Sequence, residues 1–258
     1  MESLDTLRQS PHWSYSALNC YMQCPQKYCF RYVENAPAER IGSCIPFGKA
    51  FHAALTARAV HGRDFTLTEA QEGFAESFRL ESKATPELCW KPGEDYDSCV
   101  AKGFDMLKVA LENWQDDFAV KEVAVPFSLR IPGVGRPLIG EFDLVADDCG
   151  SDAVVDWKTA SSKWASNRAD FELQATAYTY VYAKLNGTNP LFRFDVYTKA
   201  KAPTVTSYYT RRTEADFARF EHIAAQIDRS VERGCFHPVV SCQNCAECPY
   251  RDRCKKVR

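Results

Sequence analysis

Hydrophobic residues recur at intervals of three and four along much of this chain, the spacing that places side chains on one face of an α-helix. The clearest stretch runs from Asp97 to Phe118 and predicts a long amphipathic helix. A second apolar stripe predicts a helix from Glu214 to Arg233. Weaker patterns predict four further helices, the first capped by Ser14. They are Tyr15–Tyr32, Gly48–Val60, Leu67–Leu80 and Asp170–Leu185.

Strand patterns cluster in the second half of the chain. Polar and apolar residues alternate from Lys121 to Ile131, which predicts a β-strand. Two more predicted strands, Gly140–Val145 and Val154–Thr159, flank a run of turn-forming residues. The last two predicted strands are Phe192–Thr198 and Thr204–Tyr209. With a helix after the third strand, this order predicts an α/β fold in which helices flank a mixed sheet.

The hairpin between the second and third strands brings acidic residues together. If the turn is centred between Cys149 and Gly150 and has no bulge, Asp143 faces Asp156. Directly opposed Cβ atoms are roughly 4.5–5.5 Å apart, and two carboxylates that close repel each other unless a cation lies between them. Lys158 follows two residues later and projects from the same face. Two acids and a lysine in this arrangement are typical of phosphodiester hydrolysis assisted by Mg²⁺ or Mn²⁺.

An Asp-x-Lys pattern on a strand is more often a solvated surface than a catalytic site. The neighbouring residues change that expectation here, since Val154, Val155 and Trp157 indicate a strand that is buried on both faces. Unpaired charges are costly in such a place. The pattern therefore favours a chemical role for the acids.

The overall charge excludes a uniformly basic DNA-binding protein, because the formal net charge of the 258 residues is −2. A DNA-binding surface would have to be a local cluster of cations. One stretch runs from Lys199 and Lys201 to Arg211 and Arg212, with Tyr208 and Tyr209 between, and another is the tail from Arg251 to Arg258. Either could equally be a polar edge in contact with solvent. The sequence lacks a long apolar run and a signal peptide, so we expect no membrane contact and a cytoplasmic location.

Twelve cysteines are many for a chain expected in a reducing compartment, and they favour a metal site over disulfides. Cys242, Cys245, Cys248 and Cys254 crowd into one short segment near the C-terminus. Their spacing would let them form a self-contained zinc site. The remaining cysteines are expected to be mostly small buried apolar residues.

The chain resembles the PD-(D/E)XK nucleases, in the RecB-like branch that includes CRISPR-associated exonucleases and AddB-type helicase-nucleases. The resemblance extends over nearly the whole chain, and the segments follow the family's order. They are Ser14-Tyr15-Ser16-Ala17-Leu18 with Cys24-Pro25, Phe47-Gly48-Lys49-Ala50-Phe51-His52, Gly140-Glu141-Phe142-Asp143, Val155-Asp156-Trp157-Lys158-Thr159, Gln174-Ala175-Thr176-Ala177-Tyr178, and Cys245 to Cys254.

The resemblance implies a role for each motif residue. His52, Asp143 and Asp156 would bind a divalent metal, and the imidazole favours Mn²⁺ over Mg²⁺. Lys158 would stabilise negative charge. Gln174 and Tyr178, on one face of a helix, would contact the phosphate backbone or orient Lys158.

The resemblance also implies a different use of the cysteines. Its iron–sulfur members take one ligand from the N-terminal Cys-Pro motif and three from the C-terminus. Here these are Cys24 with Cys245, Cys248 and Cys254, which would hold a structural 4Fe-4S cluster. Cys20 and Cys242 would then be spare thiols.

The implied organisation is one structural unit with three parts. Residues 1–118 form a helical portion with Cys24 and His52, residues 119–234 the nuclease core, and residues 235–258 the cysteine-rich segment. The implied activity is metal-dependent hydrolysis of DNA, by an exonuclease that prefers single-stranded ends.

Several alternatives remain open at this point. The chain could be a catalytically silent DNA-binding or assembly module, or a redox-sensing regulator. A protein partner in a repair, phage or CRISPR-type complex, or assembly into a homo-oligomer, is compatible with the same sequence.

Overall fold

The computed structural model describes residues 2–114 and 119–256. Helices make up the described N-terminal part. They are α1 (Leu4–Leu7), α2 (Tyr15–Gln23), α3 (Pro25–Tyr28), α4 (Cys44–His61), α5 (Leu67–Ala84) and α6 (Tyr96–Glu112), with a π-helical turn at Cys29–Val33 and a 3₁₀ turn at Gly62–Asp64. Two short parallel strands, β1 (Ile41–Gly42) and β2 (Leu88–Cys89), pair beside α4.

A five-stranded mixed sheet follows, and its strands lie in chain order. The strands are β3 (Ala119–Leu129), β4 (Leu138–Asp148), β5 (Ser151–Ala160), β6 (Leu191–Thr198) and β7 (Val205–Thr210). Neighbours are antiparallel except β5 and β6, which run parallel and are joined through α7 (Arg168–Phe171) and α8 (Leu173–Asn186). The chain continues with α9 (Glu214–Glu232), α10 (Cys242–Cys245) and α11 (Arg251–Cys254). This architecture confirms the predicted fold class.

Several predicted helices have different bounds in the structure, and two of them end well before the predicted residue. The first begins at Tyr15, capped by Ser14 as predicted, but it stops at Gln23 because Cys24 is extended and Pro25 starts a new short helix. Proline lacks the N–H and crowds the preceding residue out of the helical region, so this break follows from the Cys-Pro step itself. The helix predicted as far as Phe118 ends at Glu112, and residues 115–118 lie outside the described part.

The β4–β5 hairpin has the predicted register, with Ala146 opposite Ala153. The ladder stops at the pair Leu144–Val155, although both strands continue. Beyond it β4 and β5 no longer pair with each other: β4 pairs with β3 and, at Leu138, with Trp13, while β5 pairs with β6. Asp143 and Asp156 are the first residues past the last pair, so they lie where the two strands part.

Each face of the sheet has its own hydrophobic core. On one face, Phe142, Val154 and Phe194 are buried with residues of α2, α8 and α9. On the other, Val155 and Trp157 are buried with α4, α5 and α6. The strand that carries the second acid is thus covered on both sides, as its apolar residues predict. Within the described residues, no helix has both the length and the apolar character needed to cross a membrane.

Candidate active site

The second acid, Asp156, is buried in the middle of the site with only 3% of its surface exposed. Its Oδ1 accepts a hydrogen bond of 2.6 Å from Nε2 of Gln174. Its Oδ2 lies 2.6 Å from Nζ of Lys158 in an ion pair, but within the described residues this oxygen has no partner with hydrogen-bond geometry. One oxygen of Asp156 is therefore fixed by an amide, and the other is available to a cation.

The first acid, Asp143, is held by the neighbouring strand and by α4. Its Oδ2 accepts a hydrogen bond of 2.9 Å from the backbone N–H of Trp157 and lies 3.4 Å from Nδ1 of His52. The His52 ring meets the Trp157 ring edge to face, with centroids 6.1 Å apart. A helix and two strands thus bring His52, Asp143, Asp156 and Lys158 together.

The two acids differ in how readily they ionise. Burial raises the pKa of Asp156 to about 6; the charge of Lys158 opposes this rise and the charge of Asp143 adds to it. Burial also raises the pKa of Asp143, but contacts with His52, Lys158 and the Trp157 N–H outweigh it and leave this pKa below its ordinary value. For His52, burial lowers the pKa, but Asp143 outweighs it and the pKa is raised overall. Neighbouring acids whose pKa values are shifted in opposite directions are common in active sites.

Gln174 and Tyr178 lie on α8, but they do different things. Orienting Lys158 was one of the two roles predicted for Gln174. In the structure its amide orients Asp156. The Tyr178 ring packs edge to face against Phe127 and Phe142, and burial raises the pKa of its hydroxyl. Tyr178 therefore forms part of the wall beneath the acids.

Two residues near the acids were not singled out from the sequence. Tyr15, at the start of α2, packs against Tyr178 with ring centroids 6.4 Å apart. The pKa of Tyr15 is raised by burial and then by the charges of Glu172 and Asp156. The second is Gly140, where an added Cβ would lie 2.4 Å from the Phe127 ring. Both belong to motifs of the resemblance, which was the only available indication of their importance.

The donor set of the acids suits a hard divalent cation, since carboxylates and an imidazole bind Mn²⁺ or Mg²⁺. Among residues 2–114 and 119–256, no three His, Cys, Asp or Glu side chains are arranged closely enough to enclose a metal ion as they stand. The buried Asp156 Oδ2, held only by the Lys158 ammonium, is the atom that would gain most from a cation. The residues therefore fit a metal once the ammonium moves aside.

The structure also brings the two ends of the chain together at the cysteines. Burial raises the pKa of the Cys254 thiol, and the nearby thiols of Cys24, Cys248 and Cys245 raise it further. The backbone N–H of Val239 donates to Sγ of Cys24 at 3.4 Å. Cys20 also lies near, since Cys24 and Cys248 are among the groups that raise its pKa after burial. Cys242 is exposed.

The first basic stretch predicted from the sequence is not a continuous surface. Nζ of Lys199 lies 3.9 Å from the centre of the Phe47 ring, and burial lowers its pKa. Arg212 is buried, and its guanidinium donates to Thr176 and to the carbonyls of Ala169 and Glu172. These two cations are therefore committed to packing. In the second stretch, Arg258 lies outside the described residues.

Comparisons with known proteins agree with this geometry. The sequence model of the PD-(D/E)XK nuclease superfamily matches residues 12–255. The gene 69 protein of Mycobacterium phage L5 is 25% identical over 293 aligned positions, which cover 97% of this chain and 98% of that protein.

Two solved structures match the chain to different degrees. A "putative exonuclease" from Eubacterium rectale has a TM-score of 0.57 at 13% identity, covering 96% of this chain and 88% of that one. SSO0001 has a TM-score of 0.39 at 11% identity, covering 91% and 96%, a likeness too weak to support any argument. The match to the family's sequence model extends over nearly the whole chain and includes every acid, the lysine and the glutamine of the site. The chain belongs to the PD-(D/E)XK nuclease superfamily.

Proposed function

We propose that this protein is a metal-dependent deoxyribonuclease that hydrolyses phosphodiester bonds at the site formed by Asp143, Asp156 and Lys158. The observation that carries the proposal is the buried Asp156, held between Gln174 and Lys158 beside a second acid. Burying one carboxylate beside a second, half-buried one is costly, and the Lys158 ammonium is paired with only one of them. A purely structural role does not account for that cost.

The proposed ligands are Asp143 and Asp156, with His52 as the third. A bound Mn²⁺ or Mg²⁺ would lower the pKa of a coordinated water and shield the charge of the phosphate. The Trp157 N–H holds Asp143, and Gln174 holds Asp156, so both carboxylates are oriented before substrate arrives. Lys158 is only partly buried and can direct its ammonium to the negative charge that develops on the phosphate.

More specifically, the proposed enzyme is an exonuclease that prefers single-stranded DNA ends. The similarity to the "putative exonuclease" from Eubacterium rectale supports the exonuclease assignment, and the relative from a mycobacteriophage supports a role in processing phage DNA. Repair, recombination and CRISPR-related processing require the same hydrolysis of DNA, so the proposed activity is compatible with each of them.

We also propose that Cys24, Cys245, Cys248 and Cys254 hold a structural 4Fe-4S cluster, with zinc as the alternative metal. The proximity of the other three thiols to Cys254 supports this ligand set. Hydrogen bonds between the two chain ends support a shared centre, since Asn244 donates to the Gln23 carbonyl and the Gln26 N–H to the His237 carbonyl. A centre at this point would join the termini across a long loop and restrict the unfolded chain.

The test is a cleavage assay on anaerobically purified protein, with end-labelled single- and double-stranded DNA and Mn²⁺, Mg²⁺ or EDTA. Asp156→Asn should abolish metal-dependent cleavage. Asp148→Asn, at the far end of the same hairpin, is the matched control and should leave it intact. Cleavage that survives in Asp156→Asn would contradict the proposal, and DNA binding without any cleavage by the unmodified protein would favour the silent binding module.

A further inference from the structure

A pocket with a volume of about 510 Å³ lies between the helical N-terminal part and the cysteine-rich segment. Four stretches of chain form its walls, and backbone hydrogen bonds join three of them. The Ser43 N–H donates to the Cys89 carbonyl at 2.9 Å, and the Glu39 N–H donates to the Pro249 carbonyl at 2.8 Å. The Glu39 carboxylate also accepts from the backbone N–H groups of Asp252 and Arg253. The pocket is therefore a preformed part of the fold.

The pocket is strongly basic in a chain that is slightly acidic overall. Four cations line it against a single carboxylate, that of Glu247. None of these cations forms an ion pair with a carboxylate within the part of the chain that the structure describes. They are Lys27, Arg31, Arg40 and Lys91. Unpaired cations gathered around one cavity attract an anion with several charges along its length.

The pocket also has an apolar wall that suits nucleobases. Trp90 is half-buried there, and Ile45 is 54% exposed. Exposed aromatic and apolar surface beside cations is the combination that binds single strands, because unpaired bases can stack while phosphates meet lysine and arginine.

The pocket is connected to the acids through α4. Ile45 lines the pocket and His52 lies at the acids, seven residues further along the same helix. At ~1.5 Å of rise per residue the two are about 10 Å apart along the axis. That is roughly three stacked nucleotides at ~3.4 Å each.

We infer that this pocket binds the backbone of single-stranded DNA about three nucleotides from the bond that is cleaved. Lys27, Arg31, Arg40 and Lys91 bind its phosphates, and Trp90 stacks on a base. This inference rests on the proposed nuclease function for the position of the cleaved bond. The affinity of the pocket for a single strand is a separate property, which can be measured without cleavage.

The experiment measures binding of a fluorescein-labelled oligo-dT by anisotropy in EDTA, over a series of salt concentrations. The variant is Arg40→Ala/Lys91→Ala, since both side chains are exposed and neither supports the core. Each phosphate contact contributes about 0.7 to the salt slope for single strands. The slope should therefore become shallower by about 1.4, and affinity at 0.1 M salt should fall roughly ten- to thirty-fold.

The matched control is Lys201→Ala/Arg211→Ala, which removes two exposed cations that lie outside the pocket, between Lys199 and Arg212. This control should bind oligo-dT with the same salt slope and the same affinity as the unmodified protein. An unchanged slope in Arg40→Ala/Lys91→Ala, or a loss confined to the control, would overturn the inference. So would an equal loss for a duplex of the same length, because the stacking argument requires unpaired bases. If the double variant is unstable, the single variants Arg40→Ala and Lys91→Ala replace it. Each should change the salt slope by about half as much.

Cleavage by the same proteins keeps the two proposals distinguishable. Loss of DNA affinity in Arg40→Ala/Lys91→Ala, with no cleavage by the unmodified protein, would support the pocket and contradict the nuclease. Normal cleavage together with unchanged binding in that variant would contradict the pocket alone.

Discussion

Gln174 donates from Nε2 to Oδ1 of Asp156 at 2.6 Å, and so a residue on α8 sets the orientation of an acid on β5. This bond leaves the other carboxylate oxygen facing Lys158. Groups that orient metal ligands are often worth ten- to a hundred-fold in affinity or activity. The contact therefore connects α8, which joins β5 to β6, with the proposed metal ligand Asp156.

The first prediction concerns this bond. Gln174→Ala should lower kcat about ten- to a hundred-fold and weaken Mn²⁺ binding to a similar degree, because Asp156 loses its orienting donor. The measurements are single-turnover cleavage and titration with Mn²⁺. Gln226→Ala, at an exposed glutamine of α9, is the control and should change neither. Equal activity of the two variants would show that the bond has no part in catalysis.

Lys158 gives a prediction in which catalysis and metal binding change in opposite directions. Lys158→Ala should lower kcat by a factor of about 10²–10³, the usual effect of removing one charge-stabilising donor. Mn²⁺ should bind at least as tightly, since the ammonium no longer competes for Oδ2 of Asp156. Cleavage rates and Mn²⁺ affinity by electron paramagnetic resonance test both parts, with Lys184→Ala as the control. Loss of metal affinity in Lys158→Ala would contradict the competition.

Metal binding should depend on pH through the same acid. Burial raises the pKa of Asp156 to about 6, so protons compete with the metal below that pH and leave the carboxylate free above it. Apparent Mn²⁺ affinity should be constant near pH 8, and below pH 6 this carboxylate alone should lower it by up to about tenfold per unit of pH. His52, whose pKa is also raised, adds to the fall in the acidic range. Calorimetric titrations between pH 5 and 8 measure this, and a flat profile would contradict it.

Much of the site followed from local pattern, because strand alternation has a fixed period. Once the turn at Cys149 and Gly150 was identified, the opposition of Asp143 and Asp156 followed, and the ladder confirms its register as far as Leu144 and Val155. The parting of the strands just beyond that pair was not predictable. It depends on β3 and β6, which pair with β4 and β5 from either side both along the hairpin ladder and beyond it.

Other features depended on tertiary contacts that no local pattern contains. The basic stretch around Lys199 was expected at a surface, but its ammonium lies over the Phe47 ring from a distant helix. Gln174 was expected to contact the phosphate backbone or to orient Lys158, and in the structure its amide donates to Asp156. In both cases the sequence identified the chemical group, and packing determined its partner.

The stability of the metal-free protein gives a fourth prediction. The pKa of Asp156 is about 6 when folded and near 3.8 in an unfolded chain, so ionisation opposes folding as pH rises from about 4 to 6. Two pKa units correspond to at most roughly 3 kcal/mol. Asp156→Asn removes this cost and should stabilise the protein at pH 8 in EDTA, with little effect at pH 4. Urea unfolding at both pH values tests it against Asp148→Asn, and destabilisation by Asp156→Asn at pH 8 would contradict it.

The last prediction separates the two models for the cysteines. A 4Fe-4S cluster uses Cys24, whereas a self-contained zinc site uses Cys242 as the fourth ligand. Cys24 is buried and is one of the thiols that raise the pKa of Cys254, while Cys242 is exposed. We therefore expect anaerobically purified protein to contain iron and to absorb visible light. Cys24→Ser should lose both and unfold more easily, because the two chain ends are no longer joined, whereas Cys242→Ser should retain both. Zinc in place of iron, retained in Cys24→Ser and lost in Cys242→Ser, would establish the opposite ligand set.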